Sequence, residues 1–395
     1  MKLRDVTMKL CIRIILVVAV LLGGALAAPV QAQTAPEFSA VFTAGQDGYH
    51  TYRIPAIVVT TNGTVLAFCE GRKNNRGDSG DIDTLLKRST DGGKTWSAQQ
   101  LIWSDDENTC GNPTPVVDRT TGTIWLLMCW NNGSAKEKQI SGKAVREGRR
   151  VFICHSTDDG VNWTKPEEIT SAVKKTGWGW YATGPVNGIQ LTRGEHAGRL
   201  VIPANHSESG VKEDATNTVS RSHVIYSDDH GQTWHIGGIE DKKTNESTVA
   251  ELLDGAVMQN MRSYHNRNQR VVATSHDGGL SWSPVHFDET LIEPVCQGSL
   301  FRYSWPGGSD KSRLLFSNPA SLQREKLTVR LSYDEGSTWA FSRLLQDGPS
   351  AYSCLTRLPD NSVGCLFECG KKNPYETITL ARIPLSWLEE VKTAQ

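Results

Sequence analysis

The chain has 395 residues, with 12 Trp, 36 Gly, 16 Pro and a formal net charge of −1. Near-neutral charge excludes the basic footprint that nucleic-acid binding needs. No Pro- or Ser-rich linker and no low-complexity run divides the chain, so residues 33–395 read as a single domain.

Residues 1–32 read as a secretory signal. Lys2, Arg4, Lys9 and Arg13 form a basic start, and an apolar run extends from Ile14 to Leu26. Ala25-Leu-Ala27 and Val30-Gln-Ala32 fit small-residue cleavage sites, so cleavage is expected after Ala27 or Ala32. A membrane helix takes about 20 apolar residues, so no span is expected once the signal is removed. The expected location is secreted or periplasmic. Every Cys but Cys11 follows the signal, mostly in apolar runs such as Leu66-Ala-Phe-Cys69. No spacing suits zinc, and no disulfide can be assigned.

One motif recurs five times. Ser89-Thr-Asp-Gly-Gly-Lys-Thr-Trp96 returns from Ser156 to Trp163, Ser227 to Trp234, Ser275 to Trp282 and Ser332 to Trp339. The pattern is Ser-x-Asp-x-Gly-x-(Ser/Thr/Asn)-Trp, at spacings of 67, 71, 48 and 57 residues. A fixed motif at such intervals marks a repeat architecture. Asp and Ser side chains bond nearby backbone N–H groups, and Gly allows positive φ. Each copy is therefore a rigid turn that pins a Trp. No further carboxylates accompany the copies, which speaks against metal loops. Strand-like runs precede them, as in Val151-Phe-Ile-Cys-His155. One hairpin per 50–70 residues suits four-stranded blades stacked radially, an all-β propeller.

Chemistry-bearing residues lie between the turns. Arg53, in Tyr52-Arg-Ile-Pro55, enters a strand over Ala56 to Val59. Ala67-Phe-Cys-Glu-Gly-Arg72 leads to a Gly-rich acidic loop holding Asp78, Asp81 and Asp83. That loop offers too few further oxygens for calcium. Cys110-Gly-Asn112-Pro-Thr-Pro115 turns a loop, and Trp130 closes an apolar strand outside any repeat. Gly177 to Gln190 is Gly-rich and aromatic but lacks the strand-to-helix context of a nucleotide motif. Asn205 and His206 stand at another strand end. Asn245-Glu246 and Glu251 precede Arg262; Asn318-Pro319 precedes Arg324, with Arg330 beyond on a strand. Tyr352 and Glu368 lie near the end, and Pro384 to Glu389 reads as a short closing helix.

The repeats resemble the Asp boxes of the sialidase (neuraminidase) superfamily, and the interleaved residues resemble its site motifs in order. The resemblance covers about residues 40–385 and implies a six-bladed β-propeller with the boxes on the side away from the active site. It implies that Arg53, Arg262 and Arg324 grip a substrate carboxylate and that Glu368 steadies Arg53. Tyr352 would be the nucleophile, Glu246 its base, and Asp78 the acid/base. Asp81 and Asp83 are rivals to Asp78, and Glu251 is the rival to Glu246. Arg72 and Asn112 would approach O4 of the sugar, and Trp130 would wall the N-acetyl group. Val186 stands where the family usually has Gly, and Phe367 where it often has Tyr. The implied activity is exo-α-sialidase on sialylated glycans, with no metal or cofactor, by an expected monomer. The rival readings are a non-catalytic glycan-binding propeller and a trans-sialidase.

Overall fold

The computed structural model describes residues 35–141, 148–209 and 218–390. The signal reading, residues 1–32, falls outside them. Twenty-four strands are formed, in the order β1 (Glu37–Thr43), β2 (Thr51–Val59), β3 (Val65–Arg72), β4 (Ile82–Ser89), β5 (Gln100–Trp103), β6 (Thr109–Val117), β7 (Ile124–Asn131), β8 (Arg150–Ser156), β9 (Glu167–Glu168), β10 (Trp178–Thr183), β11 (Ile189–Gln190) and β12 (Leu200–Ser209). The second half continues with β13 (Thr218–Ser227), β14 (His235–Lys242), β15 (Thr244–Glu251), β16 (Val257–Ser263), β17 (Gln269–Ser275), β18 (His286–Ile292), β19 (Ser299–Ser304), β20 (Arg313–Pro319), β21 (Glu325–Ser332), β22 (Phe341–Arg357), β23 (Val363–Cys369) and β24 (Thr377–Ile383). Short helices are few, among them α1 (Glu137–Ser141); Leu385–Glu389 is helical, as the sequence implies. No helix among the described residues is long and apolar enough to cross a membrane.

The strands pair into four sheets of 7, 5, 4 and 8 strands. Two of these are composites. A lone parallel contact, Ile82 with Thr109, joins β4 to β6. The 17-residue β22 pairs with β21 through its first half and with β23 through its second. Divided at these joints, the chain falls into successive antiparallel groups: β2–β5, β6–β9, β10–β14, β15–β18, β19–β22, and β22–β24 completed by β1. The first strand of the chain thus pairs with the last, Glu37 opposite Arg382.

Burial explains the order of strands within a group. β2, β3, β6 and β7 are buried along almost their whole length, whereas β9 and most of β18 are exposed. Most hydrophobic clusters join neighbouring groups, although Met261, Val271 and Ala273 pack within the fourth. Leu66 and Phe68 pack with Leu126 and Met128, and Leu127 and Ile153 pack with Ile202 and Ile225. Val201 and Val224 meet Val249 and Val257; Ala250 meets Leu314 and Phe316; Leu315 and Val329 meet Phe367 and Ala381. Leu366 and Leu380 return to Ile57 and Ala67 of the first group. Each fully buried aliphatic side chain contributes about 1.5–3 kcal/mol. The groups are therefore held chiefly by their neighbours.

The five repeats form the same turn. In each, the Gly N–H donates to the Ser Oγ at 2.8 or 2.9 Å (Gly93, Gly160, Gly231, Gly279 and Gly336). Oδ1 of the Asp accepts the backbone N–H four residues on, at 2.8 or 2.9 Å. Hydrogen bonds, led by the Thr95 hydroxyl at Asp91 and the Asn162 N–H at Asp158, hold both carboxyls below the ordinary range, Asp158 at about 2. The box glycines have positive φ and close on the preceding group. A Cβ on Gly231 would stand 2.2 Å from Trp125 Cε2, and one on Gly93 would stand 2.3 Å from Leu380 Cδ2. The pinned Trp lies in the same seam: Trp163 meets Phe68 edge-on at 5.7 Å, and Trp234 meets Trp125 at 6.5 Å. The boxes are thus clasps between neighbours.

Register sets the two ends of each group apart. Ser89 pairs with Val65, while Arg72 lies at the other end of β3 opposite Ile82. Likewise Ser275 and Glu251 both pair with Val257, while Glu246 lies at the far end of β15. The eight Cys of the described residues, from Cys69 to Cys369, are free and buried, nearly all inside packed strands and none bridged.

Candidate active site

The inner strands break regular pairing at the end away from the boxes. Register shifts fall between Arg53 and Ala56, Gly111 and Thr114, Trp178 and Tyr181, Thr244 and Ser247, and Ser350 and Ser353. Each irregular stretch carries a side chain into one cavity of about 750 Å³: Arg53, Asn112, Trp180, Glu246 and Tyr352. A bulge leaves residues unpaired and re-aims their side chains. Ile54 has φ 61°, a conformation β-branched residues avoid, and Asn112 has φ 54°. Pro55 and Pro113 remove a ladder donor beside both.

At the cavity floor, Tyr352 Oη donates to Glu246 Oε1 at 2.6 Å. Arg262 Nη1 donates to Glu246 Oε2 at 2.7 Å and to Tyr352 Oη at 3.2 Å. Burial, then the Glu246 charge, push the Tyr352 phenol well above its ordinary value, against the pull of Arg262 and Arg324. The phenol is therefore neutral in the free protein, with a carboxylate in place to receive its proton.

Three guanidinium groups surround this pair. Arg53 Nε donates to Glu368 Oε1 at 2.7 Å. Glu368 is fully buried and also accepts the N–H groups of Ile54 at 2.9 Å and Tyr352 at 3.1 Å. One carboxylate thereby fixes the strained corner, the first arginine and the tyrosine. Burial disfavours the Arg53 charge, but Glu368, Tyr375, Tyr352 and Asp78 together outweigh it and the pKa is raised. Arg324 Nη1 donates to Tyr375 Oη at 2.9 Å, and its Cζ lies 5.5 Å from the Tyr352 ring centroid. Arg262 Nε is buried without a hydrogen-bond partner. A donor so placed is ready for an incoming acceptor. Guanidinium groups around one point suit a carboxylate, which they bind by charge-assisted, often bidentate bonds.

A second buried glutamate organises the opposite wall. Glu70 Oε2 accepts Arg72 Nε at 3.0 Å and Nη2 at 2.6 Å, and its Oε1 accepts the Asn112 N–H at 2.8 Å. The remaining Arg72 nitrogen, Nη1, holds Asp78 Oδ1 at 2.7 Å. Asp78 lies on the rim, with 70% of its side chain exposed, 3.7 Å from Arg53 Nη1. Burial of its carboxyl is outweighed by Arg72 and then Arg53, which lower its pKa. Buried Arg149 bonds Asn112 Oδ1, and its Cζ lies 3.9 Å from the Trp180 ring centroid.

The structure separates the rivals. Asp81 and Asp83 bond Lys73, Asp83 also accepts Tyr49 Oη at 2.6 Å, and neither lines the cavity. Glu251, at the box end of β15, accepts the N–H groups of Thr192 and Arg193. Arg330 is buried against Asn318. Trp130 does not line the cavity. Its indole N–H is bound to Asp105 at 2.6 Å and its face is covered by Arg150. Trp180, from the Gly- and aromatic-rich stretch, lines the cavity instead. Asn205 reaches the cavity, whereas His206 is stacked on Trp178 at 3.5 Å behind it. Glu70, Glu137, Arg149, Tyr264 and Tyr375 line the cavity without having been singled out from sequence. Among the described residues no group of three or more His, Cys, Asp or Glu is placed to hold a metal.

Residues 55–365 match the family described as BNR repeat-like domain. The chain is 36% identical over 348 residues to a sialidase of Micromonospora viridifaciens, spanning 85% of this chain but only 53% of that protein. It is 32% identical over 373 residues to an exo-alpha-sialidase of Aspergillus fumigatus, covering 86% of both chains. Among solved structures, a Hadza microbial sialidase superposes with a TM-score of 0.77 at 33% identity, over 89% of this chain and 69% of that one. A leech intramolecular trans-sialidase superposes at 0.76 with 20% identity, over 89% of this chain and 71% of that one, which is a likeness of fold.

Proposed function

The chain belongs to the BNR-repeat sialidase family, and from that premise we propose that it is an exo-α-sialidase. It would hydrolyse terminal α-linked sialic acid from sialylated glycans with retention of configuration. The observation that carries this reading is Tyr352 bonded to Glu246 beneath three arginines. The carbon under attack in a sialoside bears a carboxylate. A carboxylate nucleophile would approach a like charge, whereas a tyrosine is neutral until its proton leaves. Sialidases with a Tyr nucleophile depart from the two-carboxylate glycosidase scheme for this chemistry.

In the proposed reaction Arg53, Arg262 and Arg324 bind the substrate carboxylate. Tyr352 Oη bonds to the anomeric carbon while its proton passes to Glu246. Asp78 protonates the departing glycosidic oxygen. Asp78 then takes a proton from water, which attacks the same carbon from the vacated side. Tyr352 leaves and recovers its proton from Glu246. The fixed guanidinium groups stabilise the charge redistribution of each transition state. Bound sugar would draw Arg53 toward its own carboxylate and exclude water from Asp78. Both changes raise the Asp78 pKa toward that of an acid catalyst. Arg72 and Asn112 would meet O4, and Trp180 takes the wall expected of Trp130.

The same reading makes the six strand groups the blades of a propeller. Its supports are the shared clusters, including the one that returns from the sixth group to the first. Residues 1–32 would act as a signal directing a monomer to the periplasm or outside. N-terminal sequencing of the exported chain should begin after Ala27 or Ala32.

The test uses an α-sialoside with a fluorescent leaving group, followed by proton NMR. The α-anomer of sialic acid should appear first, and Tyr352→Phe should lose or greatly slow its release. Binding without release by the wild type would replace the hydrolase with a glycan-binding propeller. Release of an anhydro sugar, or transfer to added lactose in place of water, would make it a trans-sialidase.

A further inference from the structure

The inner strands have a second end, and a second cavity lies there. Val59 closes β2, Val117 closes β6, Glu251 closes β15 and Arg357 closes β22. All four line a cavity of about 510 Å³. Arg53, Asn112, Glu246 and Tyr352, on the same four strands, line the active-site cavity. The strands therefore run from one cavity to the other.

The charges around the second cavity do not balance. Its acids are already engaged. Glu251 is saturated by the N–H groups of Thr192 and Arg193 and the Thr192 hydroxyl, and Asp310 faces Arg313 at 3.4 Å. Arg302 is paired with Glu335. Three further guanidinium groups have no carboxylate partner among the described residues. Exposed Arg119 forms no side-chain hydrogen bond there. Arg357 bonds only the neutral Asn361 Oδ1, at 2.7 and 3.1 Å. Arg193 lies 4.1 Å over Trp305, whose ring Arg302 also approaches at 4.6 Å. Arg357 lies 5.1 Å over Tyr303. Arg119 and Arg357 line the hollow without a carboxylate among the described residues to neutralise them, and an anion entering it would supply that partner. Their planar donors match carboxylate, sulfate and phosphate oxygens, and the rings beside them suit the body of a sugar.

We propose that this far cavity is a second binding site for a sugar-sized anion bearing a carboxylate, sulfate or phosphate group, held by Arg119 and Arg357 with Arg193 beside them. It is separate from catalysis and does not rest on the sialidase reading. Such a site would let the protein hold an acidic glycan while the other mouth works on a chain end.

The test is calorimetry on the full mature chain with its catalytic cavity saturated by an unsaturated sialic-acid analogue. The probes are a sulfated disaccharide, a hexose 6-phosphate, 3′-sialyllactose and, as the neutral control, lactose. At least one anionic probe should bind and lactose should not. Arg119→Ala and Arg357→Ala should each weaken binding by about tenfold or more, the loss expected of a charge-assisted bond. Unchanged urea unfolding midpoints of both variants serve as the check that they fold. Which probe binds decides among sulfate, phosphate and carboxylate. The proposal is overturned if no anionic probe binds at millimolar concentration, if lactose binds equally, or if binding survives both substitutions.

Discussion

Ser89, Ser156, Ser227, Ser275 and Ser332 end their strands in turns built from the same hydrogen bonds. At the opposite end of these groups, Arg53, Asn112, Trp180, Glu246 and Tyr352 leave regular pairing each in its own way. The box end satisfies the polar groups of its Ser, Asp and Gly within eight residues of chain. The cleft end does so across the fold, with Arg53 and Glu368 separated by 315 positions and Tyr352 and Glu246 by 106. Local satisfaction can be repeated, because each copy needs only itself and the seam it closes. A site made of unlike residues cannot be repeated, since every member depends on partners in other groups. Positive φ at non-glycine residues occurs at both ends, at Asp159, His230 and Glu335 in the boxes and at Ile54 in the cleft, but Ile54 is β-branched and is held by Glu368 from across the fold.

The comparison is broken most severely at the cleft. Glu246→Gln should lower kcat by about 10²–10⁴, the usual worth of a general base, with thermal stability little changed. Steady-state rates on the fluorescent sialoside would measure it, and a loss below about tenfold would remove Glu246 from that role. At the box end, Gly231→Ala forces a Cβ to within 2.2 Å of Trp125 at φ +90°. It should destabilise the fold by about 2–4 kcal/mol in urea titration. Gly45→Ala is the control, with positive φ but nothing within 4 Å, and should cost about 1 kcal/mol. Equal losses would mean the seam contact carries nothing.

Glu70→Gln tests the second wall. It weakens the hold on Arg72 and Asn112, and through Arg72 on Asp78. kcat/KM should fall about 10- to 100-fold, the worth of buried bonds to a charged group. The acid limb of the pH profile should move with it, which a loss of packing alone would not cause. The smallest effect is acid sensitivity of the boxes. Asp158 is held at about 2 against an ordinary 3.8. A depressed carboxyl contributes stability that is full above its unfolded pKa and is lost as pH falls through its folded one. The urea midpoint should therefore drop between pH 4 and pH 2, and Asp158→Asn should flatten that part of the curve. A midpoint equally steep in the variant would clear the box.

The box end was legible in the sequence because its bonds are local: a Ser, an Asp and a Gly at fixed spacing are the whole turn. Arg53, Asp78, Glu246, Arg262, Arg324, Tyr352 and Glu368, with Arg72 and Asn112, were legible only through the motifs around them, and the structure brings them together. What stayed hidden depended on distant register. Trp130 and Trp180 both follow apolar or aromatic runs near strand ends, and only the shift between Trp178 and Tyr181 turns one of them inward. Glu246 and Glu251 share one strand, about 17 Å apart at its two ends, so similar residues serve opposite cavities. Glu70 stood inside a motif noticed for its arginine, and nothing local reveals that Asn112 will lean on it. Arg149 has no signal at all beyond its charge. Pro55 and Pro113, inside strands that are otherwise buried, were the available hint of the bulges.

The pairing of Glu37 with Arg382 sets a clock. A ribosome adds roughly 5–20 residues per second, so β24 emerges roughly 20–70 s after β1. Throughout that interval the edge of β1 has no partner, and the cluster around Phe42 and Leu380 cannot close. Exposed apolar edges of this kind are what chaperones shield. The nascent chain must wait for its own end before its beginning is folded.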